Sequence, residues 1–72
     1  MEFQKRLREL RKEKKETQVQ VANAIGITDR QYQRFECEKQ KPGFDNLWAL
    51  ADHFDVSLDY LVGRSDRRDR QP

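Results

Sequence analysis

Several residue types and patterns that define other classes of protein are absent or scarce in this chain. It has one cysteine, Cys37, and therefore cannot form an intramolecular disulfide, and no signal-peptide pattern is present. No apolar run approaches the roughly 20 residues of a membrane-spanning helix. A chain of 72 residues also buries only one modest core. These absences argue against a disulfide-stapled scaffold, a membrane protein and a large cleft enzyme, and they predict a cytoplasmic protein.

Residues suited to a metal centre or a catalytic site are equally scarce. Too few Cys and His ligands are present for a metal site, and we expect neither a metal nor a cofactor. Cys37 and His53 are the only pair that resembles a nucleophile and its base, but they are predicted on different helices with no recognisable orienting partner. We therefore predict that the chain is not an enzyme. Cys37 is expected to be a surface or half-buried thiol, and His53 an exposed helix residue beside Asp52.

Charged residues are abundant, at 39% of the chain, but they are unevenly distributed. Residues 1–16 carry seven basic and four acidic side chains, whereas residues 43–62 carry four acidic side chains and no Lys or Arg. This distribution predicts one cationic and one anionic side, and a polyanion fits the cationic side. A solvated surface with no partner explains such charges about as often, so charge alone does not decide the function.

Apolar spacing predicts three helices in the first half of the chain, the first running from residue 2 to about residue 14. Inward-facing side chains recur at helical spacing in three groups: Phe3, Leu7 and Leu10; Val21, Ala22 and Ile25; Tyr32 and Phe35. Thr17 and Thr28 are expected to cap the second and third helices, and Gly26 to end the second. Two short capped helices joined by a three-residue link that contains a glycine predict a helix-turn-helix.

The second half of the chain predicts two more helices and a tail. The fourth helix runs from about Asp45, which can cap it, to Phe54, and Ser57 is expected to cap a short fifth helix that ends at Gly63. Residues 64–72 contain no apolar side chain, so we predict that they form a disordered tail beside a domain of residues 1–63. No segment shows the alternation of a strand.

Five short sequence features occur in a characteristic order and spacing between residue 3 and about residue 65. They are RLRELRKEKK in the first helix, TQVQVANAIGIT across the turn, the pair Phe35 and Glu36, Lys39 with Pro42, and the closing LADHFDVSLDYLVGRSD. Together they resemble the Cro and phage-repressor (XRE-like) helix-turn-helix family. The resemblance implies an all-α, five-helix, lambda-repressor-like domain whose second and third helices form the helix-turn-helix. It also implies a sequence-specific transcriptional regulator, a repressor that binds double-stranded DNA as a homodimer.

The same resemblance implies roles for individual residues. Arg11, late in the first helix, is expected to form a structural salt bridge with Glu36. The positions that contact bases in the family correspond to Asp29, Arg30, Gln33 and Arg34. The positions that contact the DNA backbone correspond to Gln18, Thr28, Gln31 and Lys39.

The outward face of the third helix also follows from geometry, because successive helical residues rotate by about 100°. With the apolar side inward, Arg30 and Arg34 project away from the core and Gln33 lies at one shoulder. Arg can donate two hydrogen bonds to guanine, and Gln can pair with adenine. The roles of two residues that flank this face stay open. Asp29 either accepts a hydrogen bond from cytosine or caps the helix and orients Arg30. Gln18 either contacts DNA or is solvated at the start of its helix.

Two pairs of residues depart from the family pattern. Lys15 and Glu16 replace the usual Gly-Leu pair at the end of the first helix, which predicts a less comfortable left-handed cap. Cys37 and Glu38 replace the usual Asn-Gly after the third helix. The acidic side chain of Glu38 puts the expected phosphate contact of Lys39 in doubt.

A protein-interaction module, such as an antitoxin or adaptor with secondary or no DNA binding, is the competing function for the same fold. Trp48 is the residue that separates the two hypotheses. It either packs in the core of the fourth helix or, because Leu47 and Leu50 already occupy the inward stripe, lies exposed at a dimer or partner surface. Tyr60 is expected to extend such a surface.

Overall fold

The computed structural model describes residues 2–37 and 41–69, which fold into five helices without a strand. The helices are α1 (Glu2–Glu13), α2 (Gln18–Ile25), α3 (Asp29–Cys37), α4 (Phe44–Phe54) and α5 (Leu58–Leu61). The all-α, five-helix architecture predicted from the sequence is confirmed. In the described ranges, no helix has the length and apolar character needed to cross a membrane.

Polar caps define the turn between α2 and α3. The Thr17 hydroxyl accepts from the Gln20 backbone N–H at 3.1 Å, and the Gln20 side chain accepts from the Thr17 N–H at 2.8 Å, which completes a capping box. Gly26 ends α2 with φ 80° and ψ 29°, the left-handed geometry that glycine adopts without a Cβ penalty. Thr28 then accepts from the Gln31 N–H at 3.1 Å. Both predicted caps and the predicted stop are therefore present.

One core connects all five helices. Its buried apolar side chains are Phe3, Leu7, Leu10, Val21, Ala22, Tyr32, Phe35, Leu50, Ala51, Phe54, Val56, Tyr60 and Leu61. The inward stripes predicted for α1 and α3 belong to this set. Ile25 and Leu47, also predicted inward, are partly buried and pack against its edge.

The start of α4 differs from the prediction. Asp45 does not cap the helix, because α4 begins one residue earlier and the extended cap position falls on Gly43, with φ −68°, ψ 171° and no side-chain hydrogen bond. Asp45 lies in the first turn instead. Its carboxylate is favourable there because the N-terminal end of the helix dipole attracts negative charge.

Residues 64–69 lie against α1 and α5, although the sequence predicts disorder for residues 64–72. Arg68 holds Glu13 with two hydrogen bonds of 2.8 and 2.7 Å, and the Ser57 N–H donates to the Arg68 carbonyl at 3.0 Å. Guanidinium groups and backbone carbonyls make these contacts. Residues 70–72 lie outside the described part of the chain. The division into a domain of residues 1–63 and a separate tail stays a prediction.

The turn after α1 places Lys15 in the left-handed region, with φ 57°. The Glu16 N–H donates to the Arg11 carbonyl at 3.2 Å and the Lys15 N–H to the Lys12 carbonyl at 3.0 Å, the pattern of a Schellman cap. A side chain is strained in this conformation because its Cβ crowds the backbone. The less comfortable cap expected from the absence of glycine is therefore present.

Replacing Lys15 by glycine should stabilise the protein. The left-handed conformation costs an L-residue about 1–2 kcal/mol, and glycine's extra entropy in the unfolded chain offsets part of this, which leaves a net gain of about 0.5–1 kcal/mol. Chemical denaturation of Lys15→Gly measures the change. Lys12→Gly, inside α1, is the matched control and should instead lose about 0.5–1 kcal/mol. Equal losses in both variants would contradict the strain at Lys15.

Candidate nucleic-acid interface

The outward side of α3 forms a shallow groove opposite the buried side of the helix, which carries Tyr32 and Phe35. The groove is lined by four side chains: Arg30, Gln33, Arg34 and Cys37. Arg30 and Gln33 are exposed and Arg34 is half-buried. The structure thus brings together three of the four residues that the sequence predicts to contact bases.

Cys37 is a member of this groove that the prediction did not include. It is a free, exposed thiol in the last turn of α3. The seven-residue spacing between Arg30 and Cys37 indicates this position, because residues seven apart on a helix differ in direction by only about 20°. Cys37 therefore points the same way as Arg30, two turns further along α3.

The residues at the start of α3 use their side-chain oxygens to stabilise the helix. The Asp29 carboxylate accepts from the Arg30 backbone N–H at 3.0 Å, and Thr28 caps the helix through Gln31. Of the two roles left open for Asp29, this contact with a backbone N–H favours helix capping. Thr28 is exposed and Gln31 half-buried, while Lys39 lies outside the described residues.

The expected ion pair between Arg11 and Glu36 is present and fixes α3 to α1. Arg11 Nε lies 2.7 Å from Glu36 Oε2, and Arg11 Nη2 lies 3.1 Å from Oε1. The Glu36 side chain is completely buried and that of Arg11 is 15% exposed. Burial by itself would raise the pKa of the Glu36 carboxyl, but hydrogen bonds from Arg11 and neighbouring groups outweigh it, so that the pKa lies below its usual value. Burial and the adjacent Glu36 carboxylate raise the pKa of Tyr32.

Gln18 is joined to this ion pair. Its side-chain amide donates to Glu36 Oε1 at 3.1 Å, and the side chain is half-buried. Arg11 Nη1 also donates to the Glu16 carbonyl at 3.1 Å, in the turn that precedes α2. Gln18 is therefore more than a solvated residue at a helix start, because its amide connects α2 to the buried pair.

His53 occupies a different environment from the one predicted. Its side chain is only 16% exposed, and its Nε2 lies 2.8 Å from Glu16 Oε1. The contact joins α4 to the turn after α1, a long-range pairing that helical periodicity does not reveal. Cys37, which the sequence analysis considered together with His53, lies instead in the groove of α3. In the described part of the chain, no group of three or more His, Cys, Asp or Glu side chains is arranged to hold a metal ion.

Of the two residues expected at a partner surface, only Trp48 is exposed. It is 49% exposed, so it lies outside the core. Tyr60 is buried, and the guanidinium carbons of Arg6 and Arg68 lie 4.3 and 5.2 Å from its ring centroid. The prediction that Tyr60 extends the surface is wrong, because cation–π contacts from the protein's own chain cover its ring.

Sequence comparison places the chain in a family that matches this architecture. A helix-turn-helix family profile matches residues 7–61, and the chain belongs to this family. It is 47% identical over 64 residues to the uncharacterised HTH-type transcriptional regulator YobD of Bacillus subtilis (strain 168). It is 38% identical over 64 residues to the cryptic phage CTXphi transcriptional repressor RstR of Vibrio cholerae serotype O1. Each alignment covers 89% of this chain and 57% of the relative, so the chain spans little more than half the length of these proteins.

Two solved structures of the P22 c2 repressor have the same fold. The P22 c2 repressor in complex with synthetic operator 9T superposes with a TM-score of 0.83 at 26% identity, over 90% of this chain and 98% of that one. The solution structure of the DNA-binding domain of the same repressor gives a TM-score of 0.79 at 27% identity, over 86% of this chain and 82% of that one. The predicted lambda-repressor-like fold is confirmed.

The lowered pKa of Glu36 makes the stability of the protein depend on pH in a specific direction. The folded state binds this proton less tightly than the unfolded state, whose reference value is 4.5. The ion pair therefore contributes its full share to the stability of the folded state above about pH 4.5. This contribution is lost as the pH falls through the pKa of Glu36 in the folded state. We expect Glu36→Gln to be less stable than the wild type by about 3 kcal/mol at pH 7, and the difference to shrink towards pH 3.

Urea denaturation of the wild type and Glu36→Gln across this pH range measures the difference. Glu9→Gln, at an exposed position of α1, serves as the control and should show a small difference at every pH. A destabilisation of Glu36→Gln that stays constant from pH 7 to pH 3 would show that the charge of Glu36 is not the stabilising feature.

Proposed function

We propose that the chain is a sequence-specific DNA-binding transcriptional regulator that places α3 in the major groove of double-stranded DNA and acts as a repressor. One observation carries this proposal: Arg30, Gln33 and Arg34 converge on one groove along the outward side of the second helix of a helix-turn-helix. The names of RstR and the P22 c2 repressor support repression as the outcome. We place the protein in the cytoplasm, associated with the nucleoid.

The side chains of this groove have the chemistry needed to distinguish base pairs. The major groove is wide enough to admit a helix. Arg30 and Arg34 each present a forked donor that matches O6 and N7 of guanine, and Gln33 can both donate to and accept from adenine. Asp29 acts mainly by orienting Arg30 through the helix start.

Contacts with the DNA backbone set the position of α3 in the groove. We assign them to Gln18, Thr28, Gln31 and Lys39. The first turn of α2 contains no acidic residue, so its N-terminal dipole is free to attract a phosphate next to Gln18. These contacts supply most of the salt-dependent affinity, because each neutralised phosphate releases counterions.

The active form on DNA is a homodimer. One nine-residue helix contacts too few bases for useful selectivity, and two copies on a near-palindromic site double the number of bases that are contacted. The half-sites are expected about 10 base pairs apart, so that both copies approach the same side of the duplex.

An interaction module, either an antitoxin or an adaptor, is the alternative that a specific observation favours. Phe44 and Trp48 are exposed at 66% and 49%, which is unusual for large apolar side chains. A mobility-shift assay with random duplex at low salt separates the two functions. A protein that does not bind DNA shows no retardation even at the lowest salt concentration.

Removing either arginine of the groove should reduce sequence preference more than general affinity. A preferred site is first selected from a random oligonucleotide pool. On that site, Arg30→Ala and Arg34→Ala are each expected to lose about 1–3 kcal/mol of binding free energy and to relax the preference at one base position. Their binding to random duplex should change much less. Arg64→Ala, at an exposed position outside α3, is the control and should retain the preference.

Lys39→Ala should give the opposite pattern when binding to the specific and random duplexes is measured across a series of salt concentrations. It should weaken binding to specific and random duplexes alike and reduce the slope of log K against log salt by about one. Equal weakening of both duplexes by Arg30→Ala and Arg34→Ala would mean that these arginines contact only the DNA backbone, and the assignment of the outward face would fail.

The single cysteine gives an independent test of which face meets DNA. Since Cys37 lines the groove of α3, bound duplex should shield its thiol, and we expect the rate of reaction with N-ethylmaleimide to fall at least about tenfold when the specific site is saturated. Protein alkylated beforehand should no longer bind, because the added group occupies the groove. As a control, the thiol of Cys37 should be alkylated completely when the protein is unfolded in denaturant, which shows that the group itself is reactive. An unchanged rate in the saturated complex would contradict the proposed orientation.

A further inference from the structure

The turn that joins α1 to α2 carries a negative charge close to the proposed phosphate contact. Glu16 directly precedes Thr17, the cap of α2, and comes two residues before Gln18. It stands where the family pattern has leucine, so the charge is a feature of this chain. A carboxylate beside the start of a helix opposes the approach of a phosphate, because like charges repel each other.

The Glu16 carboxylate is held by a residue of α4. His53 Nε2, in the last turn of that helix, lies 2.8 Å from Glu16 Oε1, and the two side chains are 16% and 21% exposed. A carboxylate only accepts hydrogen bonds, so Nε2 carries a proton and donates it to this bond. Lys14 adds a positive charge, because its Nζ lies 3.9 Å from Glu16 Oε1 and donates to the His53 carbonyl at 3.0 Å.

Both ends of this hydrogen bond are themselves fixed. The imidazole packs edge-on against Phe54, with ring centroids 4.9 Å apart at an angle of 74°. The backbone of Glu16 is held by Arg11, whose carbonyl accepts from the Glu16 N–H at 3.2 Å and whose Nη1 donates to the Glu16 carbonyl at 3.1 Å. The carboxylate therefore has one supported position, which is the position against α4.

We propose that His53 is a positioning residue for DNA binding, which holds the Glu16 carboxylate against α4 and so keeps its negative charge away from the phosphate at the start of α2. His53 acts through Glu16 and touches no DNA itself. The inference rests on the proposed function, because it concerns the phosphate assigned to Gln18. It adds a residue outside the helix-turn-helix that determines how tightly the protein binds DNA.

Electrostatics determines the size and character of the effect. A freed carboxylate roughly 6–8 Å from a phosphate, at a dielectric constant between those of protein surface and water, weakens binding by about threefold to tenfold per bound copy. Salt screens this repulsion, since the Debye length falls from about 30 Å at 0.01 M to about 8 Å at 0.15 M. The repulsion acts on a phosphate and not on a base, so it affects all sequences alike.

The first experiment measures binding to specific and random duplexes across a salt series. His53→Leu removes the donor and frees the carboxylate, so binding to both duplexes should weaken by about threefold to tenfold per copy at low salt, and by less at high salt. His53→Gln keeps a side-chain N–H that can donate to Glu16 and should retain most of the affinity. The double variant His53→Leu with Glu16→Gln lacks the charge and should regain the wild-type affinity.

The double variant separates this role from a merely structural one. A contact needed only for structure stays broken in it, and binding would then remain weak. Ser57→Ala removes the hydroxyl that caps α5 and is the control for lost stability. It should bind both duplexes like the wild type, at a temperature where circular dichroism shows every variant to be folded.

Glu16→Asp tests the same idea with His53 left in place. The side chain is one methylene shorter, so the carboxylate stays charged but no longer reaches Nε2. Binding should weaken as in His53→Leu, whereas Glu16→Gln should bind at least as tightly as the wild type. This pair carries the test if His53→Leu does not fold.

The outcomes distinguish this inference from the proposed function. A wild type that binds neither duplex refutes the proposed function, and the inference about His53 with it. If the wild type binds DNA and the folded His53→Leu and Glu16→Asp variants bind equally well at low salt, only the inference is overturned. It is also overturned if the double variant binds as weakly as His53→Leu, or if the loss is confined to the specific duplex.

Discussion

The carboxylate of Glu36 is completely buried, and it is held by groups from two other helices. Arg11 supplies two donors from α1, and the amide of Gln18 supplies a third from α2. A buried ion pair contributes little net stability compared with well-packed apolar side chains, but a rotation of α3 would leave a buried charge without its partners. The contact therefore acts mainly on orientation. Because Glu36 and Tyr32 must face inward, Arg30 and Cys37 must face outward, and every proposed base contact depends on that constraint.

The same contact ties the proposed backbone-binding end of α2 to α3, the helix proposed to contact bases. Gln18 stands in the first turn of α2 and reaches Glu36 in α3, so the two helices of the motif cannot shift independently without breaking a partly buried hydrogen bond. A phosphate bound beside Gln18 would thereby fix the depth at which α3 enters the groove. Rigid support of this kind is what allows a few side chains to discriminate between bases.

Features that depend on neighbouring residues were predictable from the sequence. Thr17, Gly26 and Thr28 carry local capping chemistry, and the apolar spacing of α1 and α3 identified their buried sides. Arg11 and Glu36, 25 positions apart, were paired through family resemblance. Helical periodicity does not reveal contacts between polar groups far apart in the chain, such as His53 with Glu16 and Arg68 with Glu13. The side chains that such contacts cover, His53 and Tyr60, are therefore less exposed than periodicity predicts, because their partners lie in other elements of the chain.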